Sequence, residues 1–195
     1  MAVPPPRPAC MDKIELRRTL RARRRAFLAG LDPRDLAALY RDLVLRLVPH
    51  LGEARTVAAY VATGGEIDPL QILLQAAALG IRTALPRVEC REEPMTFRYW
   101  TPGEELIPGP LGLTQPTAQA AVCAPDLILT PLLGFDRTLG RIGQGAGFYD
   151  RAFAAFPQAR RIGLAWSVQE VEVIPTDPWD VPLHGLATER EWITA

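Results

Sequence analysis

Gly140, Gly143, Gly145 and Gly147 fall within one short stretch, Gly140-Arg141-Ile142-Gly143-Gln144-Gly145-Ala146-Gly147-Phe148-Tyr149-Asp150-Arg151. A backbone so free of side chains can turn its N–H groups inward and hold an oxyanion, most simply phosphate. The stretch fits neither the Walker pattern nor a GxGxxG with an acidic residue on the next strand. Tight turns also collect glycine, so spacing alone leaves both readings open. The aromatic pair Phe148 and Tyr149 can pack in a core or stack on a flat ligand. Asp150, near the start of the following helix, is either a carboxylate favoured by the helix dipole or a Mg²⁺ ligand. Asp180, in Asp177-Pro178-Trp179-Asp180-Val181, is a second carboxylate of that kind, although turns commonly carry aspartate.

Two further residues bear on the same chemistry. Lysine and arginine together number 22, yet Lys13 is the single lysine. A bias toward arginine codons explains the imbalance blandly; a compact ammonium aimed at a phosphate explains the survivor. Glu66 follows Gly64 and Gly65 at the end of an expected strand. It is either a solvated loop glutamate or an acceptor for a polar heterocycle.

These residues need a frame. The 195 residues suffice for a single domain with a full core, and the net charge is zero. Nothing in that balance points to a nucleic-acid or membrane partner. Cys10, Cys90 and Cys123 lack a CxxC spacing and read as reduced thiols of a cytoplasmic protein. With only His50 and His184, a histidine-rich metal site and a multi-histidine proton relay are excluded. Residues 1–11 read as a disordered, proline-rich extension without a signal-peptide core, and Met11 is an alternative start.

Residues 12–29 read as a helix with Lys13, Arg17, Arg21 and Arg24 on one face. The Arg17–Arg25 run reads mostly as a solvated face. A second helix is expected from Asp32-Pro33 to about Val48. A third precedes Gly80, and a fourth runs from about Phe148 to Phe156. Strands are expected over 56–61, 81–85, 95–100, 126–130 and 161–166, the last with Trp166 as a core residue. Residues 101–125 read as an ordered surface loop or lid. The proline-rich tail 173–194 reads as lacking long elements. The alternation predicts an α/β fold: a three-layer α/β/α domain over 12–195 with a mostly parallel sheet. Ligands of such sheets gather at the carboxyl ends of the strands, where the glycine loop and Glu66 both fall.

Taken together, these segments resemble the 5-formyltetrahydrofolate cyclo-ligase family, also called methenyltetrahydrofolate synthetases, over nearly the whole chain from Asp12 to Glu189. The most specific match runs from Asp126 through Pro131, Gly134-Phe135-Asp136 and Arg141 to Asp150. It corresponds to a family string of the form PGLxFDxxGxRLGxGxGYYD. Lys13…Leu16-Arg17, Gly65-Glu66-Ile67-Asp68, Leu85-Pro86-Arg87-Val88, Pro102-Gly103, Gly163-Leu164-Ala165 and Val173-Ile174-Pro175 support it.

The resemblance implies a fold related to ribose-phosphate isomerases and CoA transferases. It implies a reaction in which MgATP phosphorylates the formyl oxygen of 5-formyltetrahydrofolate. N10 then closes the ring, giving 5,10-methenyltetrahydrofolate, ADP and phosphate. Lys13, Arg17, Arg141, Ile142, Gly143, Gln144, Gly145, Ala146, Gly147, Phe148 and Tyr149 would bind ATP. Val61, Glu66, Gln144, Gly145, Ala146, Gly147 and Phe148 would bind the folate, and Asp150 and Asp180 would hold Mg²⁺. No covalent catalytic group is expected; Lys13, Arg141 and Asp150 act by positioning. The protein is expected to be a cytoplasmic monomer.

Ala146, Phe148, Leu111 and His184 depart from the family's usual residues. They motivate a rival reading, a non-catalytic folate- or nucleotide-binding protein on the same fold. An isomerase or CoA transferase would want a second catalytic carboxylate that the sequence does not supply.

Overall fold

A computed structural model describes residues 12–52 and 54–194. The expected extension 1–11, and Cys10 with it, lies outside the described residues.

Four α-helices form among the described residues: α1 (Lys13–Ala29), α2 (Pro33–Leu51), α3 (Leu70–Ala78) and α4 (Phe148–Ala155). Strands β1 (Thr56–Ala58), β2 (Arg82–Arg87) and β3 (Thr96–Tyr99) come first. They are followed by β4 (Ile107–Pro108), β5 (Thr114–Gln115), β6 (Val122–Cys123) and β7 (Leu127–Pro131). The chain continues with β8 (Gly134–Phe135), β9 (Arg141–Ile142), β10 (Arg160–Leu164), β11 (Gly185–Ala187) and β12 (Trp192–Ile193).

Eight strands make one sheet in the order β12-β11-β10-β7-β1-β2-β3-β6. The pairings from β11 to β2 are parallel, and antiparallel strands finish both edges. Alternation along the strands sends side chains to opposite faces. Val57, Leu127, Leu129 and Ile162 join the core under α2 and α3, whereas Ala58 and Ile128 join the core with Ala152 and Phe153 of α4. The result is the expected three layers. A third cluster, Leu16, Leu20, Leu133, Ile142 and Ile174, packs α1 against the β8–β9 hairpin and the tail.

Capping explains the starts of α1 and α2. The Asp12 carboxylate accepts from the Ile14 N–H at 3.2 Å, and Asp32 accepts from the Arg34 and Asp35 N–H groups at 2.7 and 2.9 Å. Helix α2 runs past the expected Val48 and through Pro49, because Leu47 and Leu51 are both buried in the core.

Two expectations are corrected. The strand over 161–166 is not the last: β11 adds in parallel to β10, and β12 caps that edge. The tail's prolines, Pro175, Pro178 and Pro182, all precede Gly185, so they leave the later N–H groups free to pair. The segment 101–125 is likewise not plain loop. It carries the β4–β5 ribbon and the edge strand β6.

Candidate active site

Helix α1 is the spine of the site. Four of its cations sit on one face, and together they reach three loops. Lys13 Nζ donates to Asp177 Oδ2 at 2.7 Å and to Asp180 Oδ2 at 3.0 Å. Arg17 Nε donates to the Gly143 carbonyl at 2.9 Å. Arg21 grips Gln144 Oε1 at 2.8 Å, and Arg24 Nη2 donates to the Gly64 carbonyl at 2.9 Å. The Arg17–Arg25 run is mostly solvated as expected, with Arg18, Arg21, Arg23 and Arg25 exposed; the exceptions are Arg24, which is buried, and Arg17, which is half-buried. Burial lowers the Arg24 pKa, with Glu66 opposing the shift, and Arg24 Nη1 has no partner.

The glycine loop hangs between α1 and α4. Its carbonyls are drawn outward by arginines: Gly143 by Arg17, and Ala146 by Arg151 Nη1 at 3.1 Å. The N–H groups from Gly143 to Gly147 donate to no protein acceptor among the described residues. Gly145 at φ 100° and Gly147 at φ 68° take conformations closed to most side chains. Gly147 leads directly into α4, so the loop amides and the helix N-terminus offer their donors together.

Asp136 fixes this loop from below. Its Oδ1 accepts from the Thr138 N–H at 3.0 Å, the Thr138 hydroxyl at 2.7 Å and the Gly140 N–H at 3.0 Å. Its Oδ2 accepts from the Ile174 N–H at 2.8 Å. One buried carboxylate thereby joins the glycine loop to the tail that carries Asp177 and Asp180.

Arg141 follows Gly140 and lies 8% exposed, with Nη2 donating to Asp150 Oδ1 at 2.6 Å. Burial lowers its pKa, and Asp150 and Asp180 work against that shift. Its Nε has no partner among the described residues, which leaves a desolvated cation incompletely compensated. Asp180 lies below the usual aspartate value: burial raises it, but the Asp177 N–H and Lys13 outweigh burial. Glu66 Oε2 accepts from the Thr63 N–H at 3.0 Å, while Gln144 Nε2 donates to Glu66 Oε1 at 3.3 Å. Burial, with Glu66 adding, raises the pKa of the Tyr149 hydroxyl.

A single cavity of about 490 Å³ is lined by every residue that the sequence singled out for ATP, folate or metal. Asp150 and Asp180 both line it, and neither Asp150 Oδ2 nor Asp180 Oδ1 accepts a hydrogen bond among the described residues. No group of three or more histidine, cysteine or acidic side chains among the described residues could hold a metal alone. Two carboxylates with free oxygens fit a Mg²⁺ ion that completes its shell with phosphate and water.

Sequence reading missed Asp177, Tyr60, Trp179, Gln115 of β5 and Leu113 in the connection from β4 to β5, all of which line the cavity. The Asp177-Pro178-Trp179-Asp180 string was a visible signal for two of them. Leu111 also lines the cavity, at φ 60°. His184 lies apart from it and accepts from the Arg161 N–H at 3.0 Å. Trp166 is core, and its indole N–H donates to the Gly65 carbonyl at 3.1 Å.

Fold and site define a class: an α/β protein whose ligand cavity opens at the carboxyl ends of a parallel sheet, with unpaired loop amides and cations suited to phosphate. Known proteins narrow it. Residues 9–189 match the model of the 5-formyltetrahydrofolate cyclo-ligase family. The Escherichia coli (strain K12) 5-formyltetrahydrofolate cyclo-ligase is 30% identical over 185 residues, covering 89% of this chain and 100% of that protein. The Mycolicibacterium smegmatis enzyme of the same name is 33% identical over 150 residues, covering 72% of this chain and 77% of that one. The solved structure of Aquifex aeolicus 5,10-methenyltetrahydrofolate synthetase superposes with a TM-score of 0.79 at 26% identity, covering 94% of this chain and 93% of that one. The chain belongs to the 5-formyltetrahydrofolate cyclo-ligase family.

Proposed function

We propose that this protein is an ATP-dependent cyclo-ligase that converts 5-formyltetrahydrofolate to 5,10-methenyltetrahydrofolate. Family membership supplies the reaction. The observation that carries it to this chain is one cavity lined by the glycine loop, Lys13, Arg17, Arg141 and Glu66 together.

A formamide oxygen is a poor leaving group until it is phosphorylated. The γ-phosphoryl group of ATP passes to the formyl oxygen, giving an iminophosphate and ADP. N10 attacks the formyl carbon, the five-membered ring closes, and phosphate departs with that oxygen. Such transfer calls for positioning and charge neutralisation, not a covalent protein group. Arg141 is suited to an anion, because burial leaves its Nε without a partner among the described residues. The amides from Gly143 to Gly147 suit phosphate oxygens. Glu66, braced by Thr63 and Gln144, suits the pterin's N–H donors, with Val61 lining its side. Asp150 and Asp180 are the residues that would hold Mg²⁺, which when bound neutralises phosphate charge.

Mixing the protein with 5-formyltetrahydrofolate and MgATP should produce the methenyl chromophore and stoichiometric ADP. Neither product appearing across a range of pH refutes the reading. Calorimetric folate binding without turnover would favour the non-catalytic alternative. Among the described residues no helix is long and apolar enough to cross a membrane. We infer a cytoplasmic monomer, for which light scattering should return 21.5 kDa.

A further inference from the structure

Trp179 is unlike the other tryptophans. Trp166 and Trp100 are 0% and 7% exposed, and Trp192 stacks on His50. Trp179 is 68% exposed although it lines the cavity. An indole left in water at a cavity wall is a large apolar face without a partner.

The turn beneath it is restrained. The Asp180 N–H donates to the Asp177 carbonyl at 3.0 Å, and the Asp177 N–H to Asp180 Oδ2 at 2.7 Å. Pro178 fixes its own φ at the second position. Lys13 then ties both aspartates to α1. A ligand that stacks there has little loop to order.

Helix α1 acts as a ruler that says which ligand this is. From its N-terminal end its cations touch the acidic turn, then the glycine loop, then the Glu66 loop. Lys13 to Arg24 spans about 16 Å of helix. Trp179 therefore stands at the end away from Glu66, with the phosphate-holding loop between them.

We infer that Trp179 is the platform on which the purine base of the nucleotide stacks. This rests on the ATP reading above. Stacking on an aromatic face is tolerant of base identity, so GTP should bind within a few-fold of ATP.

Calorimetry with MgATP and with Mg-tripolyphosphate tests it, because the second ligand has the phosphates and no base. Trp179→Ala should weaken MgATP about ten- to a hundredfold, leave tripolyphosphate within about twofold, and be largely rescued by Trp179→Phe. Equal loss for both ligands overturns the platform, because it marks damage to the acidic turn. So does unchanged MgATP affinity with weakened folate binding. Failure of the wild type to bind MgATP would refute the nucleotide reading and the platform with it. Wild-type binding with an unaffected Trp179→Ala variant refutes the platform alone.

Discussion

Replacing Asp136 tests whether one buried carboxylate registers the glycine loop against the acidic tail. Asp136→Ala strips the acceptor from the Gly140 and Ile174 N–H groups, both of them buried bonds in the native protein. Each orphaned donor costs about 1–3 kcal/mol, or about 2–6 kcal/mol for the two. A water entering the carboxylate-sized void would hold the loss near the lower figure. Against a domain stability of about 5–15 kcal/mol that is a large fraction. Asp136→Asn is gentler. Its oxygen can keep the three bonds that Oδ1 accepts, but its amide then faces the Ile174 N–H, donor to donor. About 1–3 kcal/mol follows, a fall in Tm of roughly 2–12 °C for a chain of this size. Urea unfolding followed by fluorescence orders the proteins as wild type, Asn, Ala. The reasoning fails if both variants lie within about 0.5 kcal/mol of wild type, or if Asn proves the more damaging.

Asp150→Asn should lower kcat about a hundredfold or more and raise the Mg²⁺ concentration needed for half-maximal rate; wild-type kinetics would remove it from the metal site. Arg24→Met frees the Gly64 carbonyl and should raise KM for the folate roughly tenfold with little change for MgATP; equal changes in both would contradict its place beside the Glu66 loop. Burial raises Asp126 and Asp180, but the Thr56 and Arg55 N–H groups at Asp126, and the Asp177 N–H and Lys13 at Asp180, hold both below the usual value. Their stabilisation is complete above about pH 4 and is lost as pH falls through the lower folded values; melting curves flat from pH 5 to 2 would refute it. Burial pushes the Cys123 thiol up to about 11, so native protein at neutral pH should label with iodoacetamide at half-buried Cys90 and not at Cys123. Peptide mapping decides that case.

The layered α/β fold was legible in the sequence, and the residues singled out there line one cavity, but several short elements and cavity contacts were not. Glycine spacing, the lone Lys13 and the two aspartates are chemical signals, and they need no knowledge of partners. Arg24 misled because its side chain is charged and its neighbours in sequence are solvated. Only the fold reveals that the Gly64 carbonyl waits for it across 40 positions. Strands β11 and β12 are too short to show a period, and they exist because β10 offers an unpaired edge. Leu113 and Gln115 escaped notice because the pairing of β4 with β5, not a motif, brings them to the cavity.

The bonds from Lys13 to Asp177 and Asp180 span 164 and 167 positions. During synthesis the basic face of α1 is made more than 160 residues before its acidic partners. At ordinary translation rates the interval is roughly 8–30 s. For that time Lys13 of the nascent chain lacks the two carboxylates that it meets in the fold. A stalled or prematurely terminated product lacks both contacts even when most of the sheet is present. A truncation of some twenty residues at the C-terminus deletes the two carboxylates that face α1, along with both strands of one sheet edge.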